Sequence, residues 1–173
     1  MFELTDHPAS VTNLNSRIER HGEDRQLAVD IKYELQASNE LLESIQPGLR
    51  DSLFRKPGKG EQQALPIDGN TLTEVKFPSL APVSLTHEFM GYEIEMGGDL
   101  EATDPIILVD VKVKKITIAP LEGGSVTLTF TASCEAEPAD LTDIAEALIR
   151  EDVRLTMTPP AKQDDEAEQD EAA

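Results

Sequence analysis

Residues 126–134 alternate without a break. Val126, Leu128, Phe130, Ala132 and Cys134 take one side, and Thr127, Thr129, Thr131 and Ser133 take the other. A period of two puts successive side chains on opposite faces of a strand, so this stretch requires a sheet with one dry and one wet face. Residues 109–158 are organised around it. An earlier strand, 109–118, reaches it through Pro120-Leu-Glu-Gly-Gly124, and a helix at 139–150 and a strand at 152–158 follow. Leu141, Ile144, Ala145, Leu148 and Ile149 form an i, i+3, i+4, i+7, i+8 stripe able to cover the dry face. In the earlier strand Ile107, Val109, Val111 and Val113 are odd, whereas Ile116 and Ile118 are even. One extra residue produces such a shift, which predicts a β-bulge near Lys114 and Lys115.

Upstream, residues 11–20 form a strand with Leu14 and Ile18 apolar, and His21-Gly-Glu-Asp24 is a turn. Leu27, Val29, Ile31, Tyr33 and Leu35 then alternate with polar neighbours. Ser38 or Asn39 caps a short helix carrying Leu41, Leu42 and Ile45, and a further turn spans 49–54. Strand, turn, strand, helix is also the order of 109–150, so 11–54 and 109–150 are candidate half-repeats. Residues 56–70, rich in Gly, Pro, Gln and charge, are an internal loop. A strand is expected at 72–77, and 83–90 with 92–96 form either two strands or one bent at Gly91, with turns at Pro78–Pro82 and at Gly97-Gly98-Asp99. The expectation is one α+β domain, residues 1–158. It is mainly antiparallel sheet with two short helices packed on its faces. Residues 159–173 carry Asp164, Asp165, Glu166, Glu168, Asp170 and Glu171 against Lys162 and have no apolar periodicity, which predicts a disordered acidic tail.

Charge narrows the function classes. The chain has 173 residues and a net charge of −19, which opposes nonspecific attraction to nucleic acid or anionic membrane and suits a basic protein partner. No apolar run reaches the roughly 18 residues of a membrane span, and the N-terminus lacks the basic and apolar regions of a signal peptide. One cysteine cannot form an internal disulfide. Together these point to a reducing cytoplasm.

The motifs of catalysis are missing. His7, His21 and His87 are far apart and lack the spacing of metal ligands. Cys134 lies in phase with the dry face, so it reads as a buried, inert thiol. Neither Gly97-Gly98 nor Gly123-Gly124 has the strand–GxGxxG–helix context of a phosphate loop. The expectation is a non-enzyme without a metal or cofactor.

Basic residues are clustered. Arg50, Arg55, Lys56 and Lys59 lie together around Phe54, Lys112 and Lys114 are followed by Lys115, and Arg17, Arg20 and Arg25 flank the first turn. Basic side chains tracking phosphates, with an aromatic ring for base stacking, are the chemistry of single-strand binding. Arg50, Phe54, Arg55, Lys56, Lys59, Lys112 and Lys114 are therefore the candidate nucleic-acid-binding residues. Tyr33 is a weaker stacking candidate because it is in phase with buried positions.

Three upstream segments, Arg17-Ile-Glu-Arg-His-Gly-Glu-Asp24, Ala28-Val-Asp-Ile-Lys-Tyr-Glu34 and Pro47-Gly-Leu-Arg-Asp-Ser-Leu-Phe54, resemble small proteins of tailed phages and prophages. So do Glu122-Gly-Gly-Ser-Val-Thr-Leu-Thr-Phe130 and Leu155-Thr-Met-Thr-Pro159 downstream. The acidic tail is similar in kind to those of single-strand DNA-binding proteins, although it ends Asp170-Glu-Ala-Ala173 without a terminal Phe. The resemblance implies a host bacterial cytoplasm and brings no assigned function or catalytic residues with it. Taken together with the clustered bases and the acidic tail, it favours a non-catalytic accessory of DNA replication or recombination that contacts single-stranded DNA or its protein partners. An acidic DNA-mimic inhibitor or a phage assembly factor is the alternative.

Overall fold

The computed structural model describes residues 2–22, 24–58, 71–97, 105–150 and 152–161. The elements are β1 (Leu4–His21), β2 (Asp24–Ser38), α1 (Leu41–Ile45), α2 (Leu49–Leu53), β3 (Phe54–Arg55), β4 (Glu74–Val75), β5 (Val83–Ser84), β6 (Phe89–Gly97), β7 (Ile106–Leu121), β8 (Ser125–Glu135), α3 (Pro138–Arg150) and β9 (Asp152–Thr158). The sheet is antiparallel and closed. Strands run β7-β6-β9-β1-β2-β8, and β8 returns to pair with β7, giving a six-stranded barrel. The short β5 pairs with β7 beside Thr117 and Ile118, and β3–β4 form a separate two-stranded pairing. The dry face expected of a sheet is thus the inside of a barrel, where closure leaves no open edge along the paired length.

Alternation fills the interior. Val29, Ile31, Tyr33 and Leu35 of β2 face Cys134, Ala132, Phe130 and Leu128 of β8 across directly paired positions, and all are buried. The Tyr33 and Phe130 rings lie 5.4 Å apart, and the Tyr33 hydroxyl donates to Met96 Sδ at 3.6 Å. On the far wall Phe2, Phe89 and Tyr92 form a second aromatic group, in which the Tyr92 hydroxyl donates to the Phe2 carbonyl at 2.8 Å.

The pairings repeat with two-fold pseudosymmetry. Leu4 of β1 faces Met157 of β9, and Leu108 of β7 faces Ile94 of β6. Ile94 and Met157 face each other, as do Tyr33 and Phe130 on the opposite wall, so the axis passes through these two pairs. Exchanging β1 with β7, β2 with β8 and β6 with β9 leaves every barrel neighbour in place. The two turn-to-helix exits match as well: Asn39 N–H donates to the Gly124 carbonyl, and Ala136 N–H to the Leu27 carbonyl.

Bulges reconcile long strands with closure. The register shifts at Asp6, Asp110 and Lys115, the three non-glycine residues with positive φ among the described residues (44°, 50° and 54°). It shifts again beside Gly91, at φ 75°. A bulged residue bends the strand and raises its local twist, which a small barrel needs. The Lys115 bulge lies where the phase of the strand predicted it. The Asp110 bulge corrects the expected phase of β7: Leu108, Val111 and Val113 point inward, while Ile107 and Val109 point out.

Other expectations change with context. Among the described residues there are three helices, of which α1 and α2 are single turns. Glu40, whose side chain makes no capping hydrogen bond, stands at the N-cap of α1 in place of Ser38 or Asn39. In α3, Ile144 is buried and Leu141 and Leu148 rest on the core, but Ile149 is 81% exposed. The expected strand at 72–77 shrinks to Glu74–Val75, and Phe77 is exposed. Most of the 56–70 loop, the Gly98-Asp99 turn and residues 162–173 lie outside the described residues.

Candidate functional site

The predicted basic residues do not form one surface. Phe54 is 1% exposed and pairs with Val75, so its ring belongs to the core and presents no face to a base. Tyr33 is likewise buried. Arg50 donates from Nε to Asn39 Oδ1 at 3.1 Å and lies 3.4 Å from Glu40. Arg55 is paired with Glu74. Lys56 is exposed, and Lys59 lies outside the described residues. Lys112 and Lys114 belong to a different region, the outer wall of β7, where they meet Glu88 at 3.4 Å and Asp30 at 3.1 Å. The turn that follows Leu121 bonds to the segment leading into β4, through Gly123 N–H to the Thr73 carbonyl. Lys112 is therefore roughly 30 Å along the strand from the Arg55 region, at about 3.3 Å per residue.

The wall that holds Lys112 and Lys114 gathers further cations. A groove of about 620 Å³ crosses the outside of β1, β2, β8 and β7, and its lining includes Asn13, Asn15, Lys32, Lys115, Thr117 and Thr131. It lies about the pseudo-two-fold axis. Asn13 pairs with Lys32 just after the β1 bulge, and Thr117 pairs with Thr129 just after the β7 bulge. Outward phase explains the composition: Lys32 and Asp30 occupy the wet positions of β2, and the threonines those of β8, where β-branching suits a strand and the hydroxyl suits water. Among the described residues Lys32 and Lys115 have no ion-pair partner.

One edge of the groove is a charge network. Arg17 reaches Glu19 at 2.6 Å and Asp30 at 2.9 Å, and Lys114 also reaches Asp30. Burial works to raise the Asp30 carboxyl, but hydrogen bonds from Ser133, Lys114 and Arg17 outweigh it and hold the group below its usual range. Asp30 is thus an anion that spaces two cations on one wall. No family model, curated protein or solved structure matches this chain.

Other chemistry has little support in the geometry. Burial, with Asp140, Asp30 and Glu135 nearby, pushes the Cys134 thiol up to about 11, so little thiolate forms at neutral pH. No group of three or more metal-ligating side chains occurs among the described residues. No helix among them is long and apolar enough to cross a membrane. Sequence reasoning counted Lys115 and Arg17 as basic but did not place them with Lys32. The usable signal was the outward phase of Lys32 within the alternation of β2.

Proposed function

We propose that the protein is a non-catalytic binding protein that holds the sugar–phosphate backbone of single-stranded DNA in the groove across β1, β2, β8 and β7. One observation carries the reading. A chain of net charge −19 places Arg17, Lys32, Lys112, Lys114 and Lys115 on one wall, and two of these lack an ion-pair partner among the described residues. Asn13, Asn15, Thr117, Thr129 and Thr131 add neutral hydrogen-bonding groups of the kind that bind phosphate and sugar. No exposed aromatic lines the groove, so binding through it is electrostatic and indifferent to base sequence. The resemblance to phage and prophage proteins supports a role beside replication or recombination in a host bacterium.

Fluorescence anisotropy of a labelled oligonucleotide at several salt concentrations tests this. Two phosphate contacts from Lys32 and Lys115 give a slope of about −1.4 in log affinity against log salt, at roughly −0.7 per contact. Lys32→Glu with Lys115→Glu is expected to weaken binding at least tenfold with an unchanged melting temperature, while Arg55→Glu leaves it intact. Absence of wild-type binding at low salt would overturn the reading. The second reading, a protein-interaction module, is favoured by an exposed apolar groove at the other end of the same strands.

A further inference from the structure

We propose that the groove between the β1–β2 hairpin and the beginning of β7 takes up an extended segment of a partner protein as an added β-strand, in line with β8. The backbone provides the first argument. β8 ends at Glu135, opposite Ala28, and the chain turns away into α3 after Ala136 bonds to Leu27. Its two neighbours continue past that point. β2 extends through Arg25 and Gln26, paired only with β1 among the described residues. β7 begins at Ile106, and among the described residues its first residues pair only with β6. Two strand edges therefore flank the line that β8 vacates. Unpaired N–H and C=O groups along such edges are a template for another strand.

Side chains provide the second argument. Ile18, Ile107 and Val109 are 60%, 55% and 61% exposed, and with Leu27 they line a groove of about 740 Å³. Scattered exposed aliphatics are ordinary, but three converging on open strand edges form an anchor site for alternate apolar side chains. The third argument is charge. Glu135, Glu137 and Asp140 line the groove against Arg25, in a chain of net charge −19. Such a field draws in a basic segment and repels a second copy of this chain. The occupant is thus a strand of alternating apolar residues with lysine or arginine flanks, from a different protein.

The groove is separate from the Lys32 wall, so the two sites can be tested apart. The probe is a synthetic peptide, Lys-Val-Thr-Val-Thr-Val-Lys, with Lys-Val-Pro-Val-Pro-Val-Lys as its control, because proline removes the donors that a ladder needs. Wild-type protein is expected to bind the first peptide at least tenfold more tightly than the second. Hydrogen exchange should slow at 25–27 and 106–109 on binding. Ile107→Asn with Val109→Asn, both at exposed positions, is expected to weaken binding at least tenfold while the melting temperature and oligonucleotide affinity stay unchanged. Equal binding of the two peptides, no slowing of exchange, or equal binding by the double variant would overturn the proposal. So would a concentration-dependent dimer that the double variant abolishes, because that assigns the groove to a second copy.

Discussion

Asn39 and Ala136 occupy equivalent places in the two halves of the barrel. Each follows a long inner strand, and each backbone N–H closes onto the neighbouring hairpin, at Gly124 and at Leu27. Their side chains differ in task. Asn39 is fully buried, donates to the Leu72 carbonyl at 2.7 Å and accepts from Arg50, so it pins α1, α2 and the segment before β4 together. Ala136 is half-buried and leads into the single longer helix α3. The hairpins differ in the same way. β7–β8 turns at once through Gly123 and Gly124, at φ 92° and 86°, a region glycine enters without steric cost. β1–β2 instead continues past Leu27 to a turn at Gly22 and builds the arm beside the apolar groove. Closure fixes the strand pairings and bulges, while the lengths of arms and helices and the polar chemistry are free to diverge.

The largest test of this equivalence lies on the axis itself. Phe130→Ala on one wall is expected to cost about 3–5 kcal/mol, and Ile94→Ala on the other about 2–5 kcal/mol, as buried large-to-small changes do. Denaturant unfolding of the two variants measures both. A loss below 1 kcal/mol at either position would mean that this wall does not share the core.

Next is the contrast between the exits. Asn39→Ala removes the hydrogen bonds to the Leu72 carbonyl and from the Arg50 guanidinium, at an expected cost of about 1–3 kcal/mol. Ala136→Gly should cost less than that, about 0.5–1 kcal/mol at most. Comparable losses in thermal unfolding would remove the distinction between a polar clamp and a plain connection.

The smallest effect lies at one of the two aspartate bulges. Arg154 bonds Asp6 through both carboxylate oxygens, at 2.8 and 2.7 Å, and holds its carboxyl below the usual range. A lowered folded pKa stabilises the fold above the ordinary carboxyl value near ~3.9, and that contribution disappears as pH falls through the folded value. Asp110 has no ion-pair partner among the described residues. Melting temperature measured from pH 6 down to pH 3 should therefore fall less steeply in Asp6→Asn than in wild type. Identical slopes for the two proteins would show that the Arg154 pair contributes nothing to acid stability.

Local pattern was enough to find β2 and β8, though not residues 4–10 of β1. The alternation of 27–35 and of 126–134 located β2 and β8 and their buried faces, because a strand's period of two is written residue by residue. The apolar stripe located α3, and the phase shift at Lys114 and Lys115 located a bulge, because an inserted residue leaves a trace in the spacing. What the chain could not disclose alone was long-range. Barrel closure depends on β7 meeting β8 on one side and β6 on the other, and neither pairing is a property of one segment. The inward turn of Phe54 follows from its pairing with Val75, and the neutralisation of Arg50 and Arg55 from Asn39, Glu40 and Glu74. A list of charges in sequence order holds no distances. The wall joining Arg17, Lys32, Lys114 and Lys115 exists only once four strands lie side by side, since a sheet spaces neighbouring strands at about 4.8 Å whatever their separation along the chain.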